Sequence, residues 1–207
     1  DIVLITKHII GVQPLGSPYK IIAADVDRSG TISTLDLVRL RRLILNVDNT
    51  LPNGNTSWRF VPADFVFPNP ENPFEGFFPE IYNINDFDTD IMDVEFVAIK
   101  VGDVNGSVVP SGFAGGLDER SNDGLLELVA EDRSFSSGET ISVSVSGTQL
   151  SDLKGYQFTL NFDPAALEFQ YIESTGLDNM SDDNFGLTAV ERGFITPSWN
   201  MSAIDIV

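Results

Sequence analysis

The chain contains no cysteine, which excludes disulfides and every thiolate metal site. It has a single histidine, His8, and lacks a Gly-x-Ser-x-Gly elbow, a phosphate-cradling glycine loop and a zinc constellation. Most catalytic chemistries are left without their usual residues. His8 falls on an amphipathic helical pattern at the position matching Leu43 of a second such pattern, which reads as a boundary residue rather than a general base. Basic residues are also scarce: 12 Lys and Arg stand against 31 Asp and Glu, a formal net charge of -19. A surface of that sign repels phosphate backbones and anionic lipid headgroups, so nucleic acid and membrane surfaces are poor partners. No stretch approaches the roughly 20 apolar residues of a membrane span, and no basic region followed by an apolar core opens the chain. If the protein is secreted, its signal is expected upstream of residue 1.

What the chain has in excess is acid, and between residues 25 and 36 the acid is ordered. Asp25, Asp27, Ser29, Ser33 and Asp36 occupy positions 1, 3, 5, 9 and 12 of a loop with Gly30 at position 6. A hard cation that takes six to eight oxygens can be wrapped by about a dozen residues only if the chain turns sharply midway. Gly30 supplies the turn, because a left-handed backbone costs glycine nothing. Asp25, Asp27 and Ser29 are expected to offer side-chain oxygens, Thr31 its carbonyl, Ser33 a direct or water-mediated contact, and Asp36 the closing carboxylate. The bland alternative is a polar turn that caps a helix. The stripe Leu37, Val38, Leu40, Leu43, Ile44, Val47 behind Asp36 has helical period and favours the metal loop. Position 12 is Asp where the common motif has Glu, a shorter arm.

The helix pattern recurs at the start of the chain, where Asp1-Ile-Val-Leu-Ile-Thr-Lys-His-Ile-Ile-Gly-Val12 aligns with Asp36 to Val47 in its acid, its valine and its apolar positions. Asp1 then stands where a calcium loop places its last ligand, so the earlier positions of that loop are expected before residue 1, with one site divided. Paired loop-helix units of this kind, each ending in Asp and lacking an entering helix, resemble dockerin domains, the calcium-dependent docking modules of secreted bacterial proteins. The resemblance rests on Asp25 to Val47, on Asp1 to Val12, and on Gly102-Asp103-Val104-Asn105-Gly106, which is similar to the opening of a dockerin loop. It implies Ca2+ as the cofactor, an extracellular or cell-surface location, and partner recognition through Thr34, Leu35, Arg39 and Arg42. Leu35 departs from the hydroxyl residue common at that position.

Two readings of Asp103 and Asn105 stay open: ligands lent to a metal site whose other members come from elsewhere, such as the one near Asp1, or a simple turn into a linker. Val108 and Ala114 at its positions 6 and 12 prevent that run from closing a loop alone. Residues 48–101, inserted between the two halves, mix Trp58, Phe60, Phe65, Phe67, Phe74, Phe77 and Phe78 with six prolines. That is too apolar for a solvated linker and too proline-rich for a helix, so the segment is expected to wrap the helical pair, with a sugar-binding strip as the sharper alternative. Asn85 to Asp90 is expected to cap a helix from about Met92 to Lys100.

Residues 107–124 turn to Gly, Ser and charge and read as a linker between a domain at 1–106 and a second at 125–207. There the apolar period becomes two, through Leu126 to Glu131, Ile141 to Val145 and Tyr156 to Phe162, which predicts an antiparallel β-sandwich. The run Gly155 to Phe169, with its Phe-Asp-Pro turn, is similar to the cohesin and carbohydrate-binding sandwich superfamily; the sandwich is expected to lack its last strands. The whole chain therefore reads as an α plus all-β two-domain, non-catalytic docking and adhesion segment. Its expected partners are a cohesin-like module or a neighbouring subunit, the latter giving a head-to-tail homopolymer. The alternative is carbohydrate binding as accessory modules of a larger secreted enzyme, with a glycan as the ligand.

Overall fold

The computed structural model describes residues 1–85, 90, 92–108, 127–148, 150, 153–173 and 176–202. Among them are three α-helices, all in the first quarter of the chain, followed by short antiparallel strands. The expected linker at 107–124 lies almost wholly outside the described residues, as do Leu126 and most of the acidic run at 85–90.

Helix α1 (Ile2–Ile9) and helix α3 (Thr34–Ile44) are the two amphipathic units expected from the repeat, and they pack on one another. Between them lies helix α2 (Pro18–Ala24), which the sequence reading missed in assigning the loop no entering helix. Its signals are Ser17 in extended backbone as the N-cap and Pro18 at the first turn, where a missing N–H costs nothing. Ile21, Ile22, Ala23 and Ala24 are all buried, so α2 is the innermost helix.

The insert wraps this helical group, as its composition predicted. Phe67 is buried in the core with Ile5, Ile22, Val26 and Leu40, and Phe65, Phe74 and Phe78 pack around it. Tyr19 and Phe65 both meet the Phe67 ring edge-on, at centroid separations of 5.6 and 5.0 Å. The insert also contains regular structure. Strand β1 (Trp58–Pro62) pairs antiparallel with strand β2 (Phe96–Lys100), from Trp58 opposite Lys100 to Pro62 opposite Phe96. The helix expected over 92–100 is therefore corrected to an irregular lead and a strand. Phe96-Val-Ala-Ile-Lys carries β-branched and aromatic side chains, and the ladder to β1 overrides the local capping signal.

The β1–β2 ladder has a topological consequence. It returns the chain to α2, where the Gly102 N–H donates to the Ala23 carbonyl at 2.8 Å, and Val101 and Val104 enter the core.

Beyond residue 126 the strands are shorter than their period promised. Strands β3 (Leu128–Ala130) and β4 (Val145–Gly147) form one exposed two-stranded ladder. Strands β5 (Gly155–Gln157), β6 (Leu160–Asn161) and β7 (Phe185–Gly186) all pair antiparallel with β8 (Phe194–Asn200), which is buried along most of its length. Trp199 on β8 is buried, stacks on Tyr156 and donates its indole N–H to the Asp178 carbonyl. It is a core anchor of this sheet.

The β8 sheet rests on the C-terminal end of α3. Arg41 donates to the Asn200 side-chain oxygen, and Thr188 donates to the Asn46 carbonyl at 2.7 Å. At the closest approach stands Gly186, where an added Cβ would fall on the Leu45 carbonyl. A residue larger than glycine must therefore separate sheet from helix. Gly186→Ala is expected to lower stability by about 1–3 kcal/mol, as overpacking does, whereas Gly76→Ala, with open space around it, should change it by less than about 0.5 kcal/mol. Urea unfolding of both variants checks the contrast.

Candidate metal centre

The loop Asp25 to Asp36 runs from the end of α2 to the first turn of α3. Both ends are fixed by the helices, so its side chains converge. Asp25, Asp27 and Asp36 are 1%, 5% and 0% exposed. Their carboxylate oxygens lie within 4.8 Å of one another. This buried triad could hold a metal ion.

Backbone N–H groups hold the carboxylates in place. Asp25 accepts from Ser29 at 2.9 Å and from Gly30 at 3.0 Å, and Asp27 accepts from Ser29 at 3.1 Å. Gly30 takes the left-handed φ of 77° that the turn requires. Asp36 reaches across the loop, accepting from the Asp27 N–H at 3.2 Å and from the Ser33 N–H at 2.9 Å. Ser33 completes a capping box on α3 by accepting from the Leu35 N–H, so its hydroxyl serves the helix end. The Ser29 hydroxyl donates to the Thr31 carbonyl at 3.1 Å, which sets these two expected ligands side by side.

Burial drives the Asp25 and Asp36 carboxyls above the ordinary carboxylate range, against the lowering by their backbone donors, and the neighbouring carboxylates push the same way. A cation among the three relieves both costs.

The structure also brings Asp103 and Asn105 to Asp1. The Asp1 carboxylate accepts from the Val104 N–H at 2.9 Å and the Asn105 N–H at 3.1 Å. Asp103 accepts from Ser107 at 3.1 Å and from Val108 at 2.9 Å, and Asn105 accepts from Ser107 at 2.9 Å. Pairing Asp103 with Asp25, Asn105 with Asp27, Ser107 with Ser29, Val108 with Gly30 and Asp1 with Asp36 maps four of these five bonds onto those of the first loop; the Val104 bond to Asp1 has no counterpart there, because the Val26 N–H donates to the Ala24 carbonyl. The second turn carries one carboxylate fewer in this set, and Val108 lacks the left-handed backbone of Gly30.

Of the residues expected to meet a partner, Thr34 and Leu35 are exposed at the start of α3. Arg39 is half-buried, with an Nε atom that has no hydrogen-bond partner among the described residues. Arg42 is engaged by Asp48 through two bonds of 2.7 Å. That pair holds the Asp48 carboxyl below its usual range. The arginine that reaches the β8 sheet is Arg41, which the partner assignment did not include.

Three side chains that sequence reasoning missed hold the first loop from outside. Asn53 and Asn55 donate to its carbonyls, and Glu80 pairs with Arg28 at 3.2 Å. The asparagines' one sequence signal was the Asn53-Gly54-Asn55 turn, which local spacing could not connect to residues 25–28. Comparisons with protein-family models, with curated proteins and with solved structures found no match.

The sign of the acid effect follows from the raised carboxyls. Groups that hold protons more tightly when folded than when unfolded stabilise the fold fully below the unfolded carboxylate range of about 4. That contribution is lost as pH rises through the raised values. In chelator, the melting temperature is expected to fall as pH rises above about 4, and to fall less in Asp25→Asn. Equal slopes in the two proteins would contradict the assignment to this cluster.

Proposed function

We propose that this chain is a calcium-stabilised, non-catalytic docking and adhesion segment of an exported bacterial surface protein. The observation that carries the proposal is the buried triad Asp25, Asp27, Asp36, closed by a glycine turn and leading straight into an amphipathic helix. Its all-oxygen donors suit a hard cation, and the length of the loop suits calcium over magnesium, which demands near-ideal octahedral geometry. Ser29, Thr31 and Ser33 complete the set. The dockerin-like fold assignment, with a cohesin-like sandwich after it, belongs to this proposal and draws on the repeat of Asp1 to Val12 on Asp36 to Val47.

A second ion joins Asp1 to Asp103 and Asn105 in this reading. Its support is that four bonds of this turn match bonds of the first loop. With one carboxylate fewer it binds more weakly, since ligand charge count sets calcium affinity.

The ion orients α3, whose Thr34, Leu35 and Arg39 remain available to a protein partner. The β8 sheet touches the other end of the same helix. A docking helix and a sheet receptor thus meet within one subunit, and the same contact made between subunits grows head to tail. Carbohydrate binding is the competing reading, and one observation favours it: a cleft of about 210 Å³ in the insert, lined by Phe65, Phe67, Phe77 and Phe78 with Asn72. A glycan array probed with the whole chain separates the two.

Calorimetry at calcium concentrations up to about 1 mM, the range of extracellular modules, is expected to show binding that Asp25→Ala abolishes at the tighter site. Asp103→Ala should remove only the weaker event. Light scattering on the same samples tests assembly: a strict monomer at high protein concentration with calcium saturating argues against the head-to-tail arrangement.

A further inference from the structure

The first metal loop is gripped by residues that lie outside it in sequence. Asn55, only 8% exposed, donates its side-chain amide to the carbonyls of Asp25 at 3.1 Å and Val26 at 2.9 Å. Asn53 donates to the next carbonyl, that of Asp27, at 2.7 Å. Three successive backbone units, including those of two ligands, are thereby tied to one turn of the insert. The loop answers through Arg28 at position 4, which donates to the Gly54 carbonyl at 3.3 Å and to Glu80 at 3.2 Å. Glu80 is itself fixed by Arg59 at 2.7 Å. Phe74 closes the far side, close enough that a Cβ on Gly30 would touch its side chain at 3.7 Å.

We propose that Asn53 and Asn55 are positioning residues of the metal site. They hold the backbone from Asp25 to Asp27 so that the carboxylates stay gathered before an ion arrives. The inference rests on the calcium reading above and adds to it a source of affinity outside the ligands. Three like charges in a buried space drive a free loop apart, and an ion binding to such a loop must supply the cost of ordering it. Tethers that order the loop in advance remove that cost from binding and slow release. Outer residues that orient metal ligands are worth about 10- to 100-fold in affinity. Among the described residues no side chain makes the equivalent bonds to the carbonyls of Asp103, Val104 and Asn105.

The simpler alternative is that the asparagines merely stabilise the insert, since the Asn55 side-chain oxygen also accepts from the Thr56 N–H at 3.0 Å. The two roles differ in what they move. Calcium titration by calorimetry and calcium release into a fluorescent chelator, both on the full chain, are to be compared for the unmodified protein, Asn53→Ala and Asn55→Ala. A positioning role lowers affinity at the tighter site about 10-fold or more and speeds release, with stoichiometry unchanged. Asn53 is exposed, so Asn53→Ala decides the matter if Asn55→Ala does not fold. Lower melting temperatures in chelator with unchanged affinity and release rate would overturn the inference alone. Failure of the unmodified chain to bind calcium at all would remove the functional reading and the inference together.

Discussion

Three carboxylates, each at most 5% exposed and within 4.8 Å of one another, set the terms for the first hundred residues. At an effective dielectric of about 20, two unit charges at that separation repel by roughly 3 kcal/mol. The fold meets this in two ways already visible. Backbone N–H groups of Asp27, Ser29, Gly30 and Ser33 point at the carboxylates, and burial shifts Asp25 and Asp36 towards their neutral forms. Neither removes the cost at neutral pH. In the proposed reading a divalent cation held by the three would turn the repulsion into a cross-link between the end of α2 and the start of α3.

The same constraint explains which features were legible in the sequence. The oxygen spacing of the loop, the glycine turn and the two amphipathic helices are local, so period and position expose them. Helix α2 had readable caps in Ser17 and Pro18, but an expected motif without an entering helix masked them. Strand β2 was misread because its pairing with Trp58–Pro62 lies some forty positions away and no local period announces it. For the same reason the approach of Asp103 and Asn105 to Asp1 stayed an open alternative: it depends on the β1–β2 ladder and on the Gly102 bond to Ala23. In the second half, period two located the strands but not their limits. The ladder Leu128–Ala130 with Val145–Gly147 covers only part of each alternating run.

The insert connects the metal loop to the rest of the fold. A helical module this small buries little apolar surface, and such domains usually need a metal or another staple to stand alone. Here Phe67, with Tyr19, Phe65 and Phe78 packed about it, enlarges the core shared by all three helices.

The metal loop is also tied to the elements on either side of it. Asn53 and Asn55 hold one side of the loop, and the capping box of Ser33 and Asp36 holds the other, so the loop is fixed to the end of α2 and to the start of α3. Asp36 belongs at once to the triad and to the first turn of α3, so a change in charge at the loop is felt at the helix start. The far end of that helix carries Arg41, whose side chain meets Asn200 on β8. A single rigid helix of eleven residues therefore joins the acidic cluster to the sheet, and the glycine at Gly186 lets the two surfaces close without an intervening side chain. The acidic loop and the β8 sheet thus lie at the two ends of one helix.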